Sequence, residues 1–386
     1  MMHSVRRTLL IASLFAVGGL SAAQAADIKI GMAEALSGGA AQYGHSIENG
    51  FQLAASEINA AGGVNGNKIQ FVVEDEQGKK DEAINVFKKL IFQDKVLMVF
   101  GPTLSNSAQA ADPIAQASKT VAFGTSNTAD GITSIGNYIF RNSVTEADVL
   151  PVTLSVARRK LGIKKVAVLY GNDDVFTVSG YDSFKKALAD LNIPVTTTET
   201  FAKGDVDFKA QLTKIQSTHP DAIVLSALLA EGGPIMVQAR QLGINLPFIG
   251  GNGMNSVKIF TLAPGAASNN LWVGSPWSID NDTPQNTKFV SAYKAKFGSA
   301  PDQFAAQSYD ATYVVAQALK QVKLTGNLAA DRTALRNALP SVKWTGATGA
   351  FEFTQAKNKA GQPAGYDAKQ TAIISVTDNG KYTIEK

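Results

Sequence analysis

The feature that most constrains the fold is an alternation of short apolar runs with amphipathic segments, which continues along the chain from Asp27. The apolar runs have the length of strands and comprise Ile28–Met32, Ile69–Val73, Val96–Phe100, Thr120–Phe123, Val166–Leu169, Ala222–Leu225 and Leu246–Ile249. Between them, apolar residues recur every three or four positions, as in Ile47, Phe51, Ala54 and Ile58. This alternation predicts βα units and parallel sheets that are covered by helices on both faces.

The alternation falls into two blocks, and 386 residues are enough for two domains. The first block runs to about Arg141, and the second begins with a predicted helix near Val149–Leu161. Three further helices and a C-terminal set of short strands are predicted at Thr287–Lys296, Phe304–Gln321, Ala329–Leu339, Phe351–Phe353, Ala372–Val376 and Tyr382–Ile384. No low-complexity linker separates the blocks, so the connections between them are expected to be short and structured.

The composition excludes several classes of function. The chain has no cysteine, which excludes thiolate catalysis, disulfides, iron-sulfur clusters and Cys-ligated zinc. It has three histidines, and His45 and His219 lie far apart, so a catalytic relay or a multi-His metal site is not expected. The 36 Lys plus Arg exceed the 32 Asp plus Glu only slightly and are spread along the chain, which argues against a nucleic-acid partner. We therefore predict no enzyme activity, no cofactor and no bound metal.

Residues 1–25 have the pattern of a secretory signal peptide. Arg6 and Arg7 precede an apolar run over Thr8–Leu20, and Ala23-Gln24-Ala25 supplies the small residues that signal peptidase requires. The alternative is a membrane anchor, but the apolar run is shorter than the roughly 20 residues that span a bilayer. No cysteine follows it to carry a lipid. The sequence predicts cleavage before Ala26 and a soluble periplasmic protein without a lipid anchor.

Two neighbouring loops carry hydroxyl groups at the point where strands end. Gly101–Ser107 follows one strand and leads into a helix predicted over Ser107–Ser118, with Ser105 near its N-terminus. Gly124–Thr128 follows the next strand. Ligands of open parallel sheets bind beyond the carboxyl ends of strands, and a helix N-terminus attracts a carboxylate. An anion site is therefore predicted here, although plain N-capping by serine would produce the same local pattern.

Several segments of the mature chain resemble the branched-chain amino-acid-binding family of periplasmic binding proteins. The matching segments are Asp27–Gly31, Ala41–Gly44, Ile58–Gly66, Asp207–Asp221, Gln238–Arg240 and Tyr309–Ala311. The resemblance implies a type I periplasmic binding protein, an α/β fold of two Rossmann-like lobes joined by three crossovers. It assigns residues 27–145 and 254–348 to lobe 1, and residues 146–253 and 349–386 to lobe 2.

The resemblance also implies a function and its partners. Members of this family capture a small carboxylate-bearing ligand between the lobes by hinge closure and deliver it to the membrane permease subunits of an ABC importer. A monomer is predicted. A ligand-sensing domain and a secreted enzyme are the weaker alternatives, since the chain shows neither a second module nor a nucleophile motif.

Position by position, the resemblance places the ligand carboxylate on three hydroxyl-bearing residues, Ser105, Ser126 and Thr128. The resemblance also implies that Tyr43 of the first lobe and Phe176 of the second lobe form aromatic walls of the ligand site. A half-buried structural role is an equally good interpretation of Tyr43.

Two positions depart from the family pattern. Asn252 stands where amino-acid binders carry the acidic partner of the ligand ammonium, and Leu228 replaces a tyrosine nearby. An amide offsets the desolvation of a buried ammonium less well than a carboxylate does. Either Asp173 or Asp174 supplies the missing charge, or the ligand is an amine-free organic acid. For such an acid, Trp277 is a further candidate for the wall of the site, and core packing is its alternative role. The alternative role of Asn252 is to form a turn.

Overall fold

The structure of the protein is a computed structural model that describes residues 27–385. The predicted signal peptide, residues 1–25, lies outside the described residues. Within residues 27–385 the chain forms fifteen strands and eleven α-helices. The strands are β1 Ile28–Glu34, β2 Ile69–Asp75, β3 Met98–Phe100, β4 Val121–Gly124, β5 Ile139–Arg141, β6 Val166–Gly171, β7 Val195–Phe201, β8 Ala222–Ser226, β9 Phe248–Gly250, β10 Leu271–Ser275, β11 Lys343–Gly346, β12 Gly349–Lys357, β13 Pro363–Lys369, β14 Ile373–Asp378 and β15 Lys381–Ile384. The helices are α1 Ala41–Ala60, α2 Lys80–Lys88, α3 Ser105–Ala117, α4 Glu146–Leu161, α5 Val175–Asp190, α6 Lys209–Ser217, α7 Leu229–Gln241, α8 Ile259–Leu262, α9 Pro284–Phe297, α10 Gln303–Lys320 and α11 Leu328–Ala338.

The strands form two sheets, one in each lobe. The first sheet has the order β11-β12-β13-β5-β4-β3-β1-β2, and the second has the order β15-β14-β10-β9-β8-β6-β7. The βα part of each sheet is parallel, as the alternation of apolar runs predicts. The C-terminal strands add antiparallel pairs at one edge of each sheet, β11 with β12 and β14 with β15. The predicted two-lobe α/β fold is thus confirmed.

The chain crosses between the two sheets three times, after β5, after β10 and after β13. The crossing segments are short, running from Arg141 to Glu146, from Ser275 to Pro284 and from Lys369 to Ile373. Short connections of this kind between two lobes can act as hinges.

The sheet pairings correct the expected lobe boundaries in two places. β10 pairs with β9 and β14, so it belongs to lobe 2, whereas residues 254–348 were expected in lobe 1. β12 and β13 continue the sheet of lobe 1 next to β5, whereas residues 349–386 were expected in lobe 2. The elements therefore group as residues 28–141 with 284–369, and 146–275 with 373–384.

Helix α1 shows how the sequence pattern produces the packing of lobe 1. Its apolar face buries Ile47, Phe51 and Ile58 against the sheet, where the Phe51 ring lies 4.4 Å from that of Phe100. On another face Gly50 allows α1 to approach α10 closely. A Cβ atom there would lie 2.2 Å from the carbonyl oxygen of Ala305, so only glycine fits at this contact.

None of the helices formed by residues 27–385 has the length and apolar character that a membrane crossing requires.

Candidate functional site

A cavity lies between the lobes, where loops that follow the strands of both sheets face each other. It is lined by Tyr43, Thr103, Leu104, Ser105, Ser126, Phe176, Leu228, Asn252, Gly253 and Phe304. Its volume is about 280 Å³, including the part that is open to solvent. Six of the eight residues proposed from the sequence thus line one space: Tyr43, Ser105, Ser126, Phe176, Leu228 and Asn252.

The N-terminus of α3 faces this cavity. The helix begins at Ser105, two residues earlier than predicted, and Leu104 stands at the N-cap, where no side chain caps the helix. Ser105 is therefore not an N-cap, so its role is not the plain capping that the sequence allowed. Its hydroxyl accepts a hydrogen bond from the Ala129 N–H at 3.2 Å and retains its own proton. The uncapped first turn offers N–H groups and the positive end of the helix dipole to an anion in the cavity.

Two buried carboxyl groups hold the loop that leads into α3. The hydroxyl of Thr103 donates to Glu34 at 2.5 Å and accepts from the Ala35 N–H at 2.9 Å. Ser107 donates to Glu76 at 2.8 Å. Burial raises the pKa of Glu34 well above its usual range and that of Glu76 to about 7. These contacts fix the loop that leads into α3.

The neighbouring loop after β4 is joined to the first. Ser126 donates its hydroxyl hydrogen to the Thr103 carbonyl oxygen at 2.6 Å, so this hydroxyl reinforces the loop pair in the present arrangement. The two loops form one surface, as their position at adjacent parallel strands β3 and β4 predicts.

The walls of the cavity are apolar. Tyr43 and Phe304 meet edge to face with their ring centroids 4.9 Å apart, and Phe176 and Leu228 come from the second lobe. Phe304 was missed by the sequence analysis, which assigned it to a helix without a role. It lies one position after the first residue of α10, and nothing in the local pattern distinguishes it from a core residue.

Two of the proposed site residues do not line the cavity. Thr128 is buried and donates its hydroxyl hydrogen to Glu146 at 3.1 Å. Trp277 lies in the second crossing, donates its indole N–H to Asn286 at 2.6 Å and packs edge-on against Phe289. The core-packing role, which the sequence left open for Trp277, is the one that the structure shows.

No charged side chain lines the cavity among the described residues. Asp174 caps α5, accepting from the Phe176 N–H at 2.9 Å, and also accepts from the side-chain amide of Asn106. Asp173 accepts from the Lys203 N–H at 3.0 Å on the surface. Neither aspartate is among the residues that line the cavity.

The lobes also contact each other directly. The buried hydroxyl of Tyr43 donates to the Gly253 carbonyl oxygen at 2.7 Å and accepts from the Leu229 N–H at 2.7 Å. Its role is thus a connection between the lobes as well as a wall. The side-chain oxygen of Asn106 accepts from the Val175 N–H at 2.9 Å, which extends the cap of α5 across the cleft. These contacts describe a closed arrangement of the two lobes.

Glu146 is a buried carboxyl beside the site that the sequence analysis did not find. Its Oε1 accepts from the Asn252 N–H and from Thr128, both at 3.1 Å, while its Oε2 has no partner within residues 27–385. Burial raises its pKa to about 7. Glu146 is the first residue of α4, directly after the first crossing, so it joins the hinge to the loop that carries Asn252.

We expect Glu146 to make stability depend on pH. An acid whose pKa is raised by folding takes up a proton as the chain folds, so the free energy of unfolding falls as pH rises from about 4.5 to about 7. Glu146→Gln should remove up to roughly 3 kcal/mol of this change. Urea unfolding at about pH 5 and about pH 7.5 measures the difference.

A matched control for this prediction is Asp81→Asn, which changes an exposed carboxyl of α2. It should leave the pH dependence as in the parent protein. Equal pH dependence in the parent and the Glu146→Gln variant would show that Glu146 is charged in the folded state across this range.

Within residues 27–385, no group of three or more His, Cys, Asp and Glu side chains is arranged to hold a metal ion.

The chain matches a protein-family model described as "Periplasmic binding protein" over residues 27–366. It is 30% identical over 318 residues to the leucine-, isoleucine-, valine-, threonine- and alanine-binding protein of Pseudomonas aeruginosa, covering 82% of this chain and 84% of that protein. It is 28% identical over 324 residues to the Leu/Ile/Val-binding protein of Escherichia coli K12, covering 82% and 86%.

Solved structures with the same fold carry two kinds of ligand. The branched-chain amino acid transporter substrate binding protein LivJ of Streptococcus pneumoniae, in complex with isoleucine, superposes with a TM-score of 0.84 at 31% identity, covering 93% of this chain and 99% of that one. A solute binding protein of an ABC transporter from Rhodopseudomonas palustris, in complex with 3,4-dihydroxybenzoic acid, has a TM-score of 0.81 at 26% identity, covering 94% and 96%.

Proposed function

The chain belongs to the periplasmic binding protein family, and on this premise we propose that it captures a small carboxylate-bearing ligand in the cavity between its lobes. The ligand class that we favour is an amine-free organic acid, aliphatic or aromatic. The second candidate is a branched-chain amino acid, the ligand in the Streptococcus pneumoniae complex.

The observation that carries the proposal is the uncapped N-terminus of α3 at the cavity. Its free N–H groups and dipole favour a carboxylate, and the hydroxyl proton of Ser105 adds a further donor. A carboxylate bound there needs no cationic side chain.

The absence of a charged side chain from the described cavity lining supports the amine-free class. A buried ammonium would lose its hydration without gaining a countercharge, which is costly in an apolar cavity. By contrast, Tyr43, Leu104, Phe176, Leu228 and Phe304 suit an apolar body. The dihydroxybenzoate complex of the Rhodopseudomonas palustris protein is a precedent for such a ligand on this fold.

Calorimetric titration with 4-methylpentanoate, benzoate and leucine tests the proposal. We expect at least one of the two acids to bind more tightly than leucine and to be recovered unchanged after incubation. A ligand at a hundredfold excess over its dissociation constant should also stabilise the protein by about 2.7 kcal/mol. Tight binding of leucine with both acids silent would reject the amine-free class and establish the amino-acid alternative.

Export and delivery complete the proposed role. Cleavage of residues 1–25 would release the protein into the periplasm as a monomer, where the closed form presents its ligand to the permease subunits of an ABC importer. The solved structures of the Streptococcus pneumoniae and Rhodopseudomonas palustris transporter binding proteins support this part of the proposal. N-terminal sequencing of the exported protein should begin at Ala26.

A further inference from the structure

Asn252 is one member of a chain of buried amides that runs across the cleft. The side-chain nitrogen of Asn255 donates to Oε1 of Gln303 at 3.0 Å, and Nε2 of Gln303 donates to Oδ1 of Asn252. The side-chain nitrogen of Asn252 in turn donates to the Ser126 carbonyl oxygen at 3.2 Å. Gln303 belongs to α10 of lobe 1 and is fully buried, whereas Asn252 belongs to lobe 2.

The direction of this amide chain is fixed at two points. The carbonyl oxygen of Ser126 can only accept, so the nitrogen of Asn252 must face it. The backbone carbonyl oxygen of Asn252 also only accepts, and Nε2 of Gln303 donates to it at 3.1 Å. Turning either amide over would bring two oxygens or two N–H groups together in a buried place, which is costly.

As a result, the oxygen of Asn252 is engaged by Gln303, while its nitrogen keeps a second hydrogen. An amide nitrogen carries two hydrogens, and Ser126 takes one of them. This nitrogen has no second acceptor within residues 27–385, and Asn252 lines the cavity, so an oxygen acceptor on a ligand there would meet an unused donor. Asn252, which the sequence resemblance places at the ammonium position of amino-acid binders, thus offers a donor, the opposite polarity.

The carboxylate position is close to this donor. Ser126, which accepts from Asn252, also donates to Thr103 in the loop that leads into α3. Two hydrogen bonds therefore connect Asn252 to the loop that leads into α3. Asn252 and Ser105 line the same cavity, so one small ligand can contact the α3 N-terminus and Asn252 together. The smallest such ligand carries its oxygen acceptor on the carbon next to the carboxylate.

We propose that Asn252, oriented by Gln303, binds an oxygen acceptor on the ligand, so that the preferred ligand is a 2-oxo or 2-hydroxy carboxylic acid. This inference rests on the proposed function and narrows its ligand class. Gln303 is a positioning residue, because it acts on the ligand only through Asn252.

The test compares three ligands that share one carbon skeleton: 4-methyl-2-oxopentanoate, 4-methylpentanoate and leucine. The oxo acid should bind about tenfold more tightly than the plain acid, the factor that a single good hydrogen bond provides. Leucine should bind more weakly than both. Failure of these three ligands and of benzoate to bind would overturn the proposed function and this inference with it, whereas equal affinity of the oxo acid and the plain acid would overturn the inference alone.

Two variants separate the role of the amide chain from general damage. Asn252→Leu, which is close in size, should bring the affinity for the oxo acid down to that for the plain acid. Gln303→Met removes the donor to Asn252 at similar size, so it should narrow the difference in affinity between the oxo acid and the plain acid. If both variants keep the parent protein's preference for the oxo acid over the plain acid and its unfolding midpoint, the proposed role of the amide chain is contradicted.

Discussion

Replacing Ser105 by aspartate should abolish the binding of carboxylate ligands while leaving the protein folded. The new carboxylate would occupy the uncapped N-terminus of α3, where an acidic side chain is favourable for the helix. It would also repel a ligand carboxylate: two like charges 4 Å apart cost about 4 kcal/mol at an effective dielectric constant near 20. We expect a loss of affinity of about 100-fold or more, measured by calorimetry.

The matched control is Ser105→Asn, which has the same shape without the charge. Its affinity for the acid should fall only about tenfold, which is the contribution of the serine hydroxyl as a hydrogen-bond donor. Because the two variants differ in charge alone, equal affinities for an acid would mean that the ligand does not place its carboxylate at this helix.

Tyr43→Phe should weaken the binding of every ligand by the same factor. The substitution removes one hydroxyl that satisfies two buried backbone groups across the cleft, the Gly253 carbonyl and the Leu229 N–H. Each unsatisfied group costs roughly 1–3 kcal/mol, and this cost falls on the closed form only. The affinity should therefore fall by about 30-fold or more, because closure becomes less favourable.

Two ligands of different size distinguish this effect from a lost ligand contact. A change in the closing equilibrium scales both affinities equally, whereas a lost contact changes their ratio. Tyr309→Phe serves as the control, since the Tyr309 hydroxyl donates to Glu57 within lobe 1. A ratio of affinities that changes in Tyr43→Phe but not in Tyr309→Phe would show that Tyr43 acts as a wall and not as a connection between lobes.

The fold could be predicted from the sequence because the parallel sheets are built from βα units, and each unit is one continuous segment of the chain. Each βα unit carries its own apolar run and amphipathic helix, so the period of the pattern is enough to place β1, β2 and β6.

The lobe boundaries could not be predicted as well. An apolar run such as β10 does not reveal which sheet it joins, since pairing with β9 and β14 involves residues far along the chain. The polar edge strand β7, Val195–Phe201, lacks a strong apolar run and was missed for that reason.

The part of the site that could be predicted is the part formed by loops at the carboxyl ends of strands. The loops carrying Ser105 and Ser126 meet because β3 and β4 are adjacent, which the order of the runs indicates. Phe304, Gln303 and Glu146 could not be found in this way, because they reach the cavity or its surroundings through the crossings and through α10. Their roles depend on how the lobes face each other, and no local pattern encodes that.

The most direct test is a crystal structure of the protein with the acid that binds most tightly. We expect a ligand between the lobes with its carboxylate oxygens within hydrogen-bonding distance of the first-turn N–H groups of α3 and of the Ser105 hydroxyl. A ligand bound outside this cavity, or one that turns its carboxylate away from α3, would contradict this expectation.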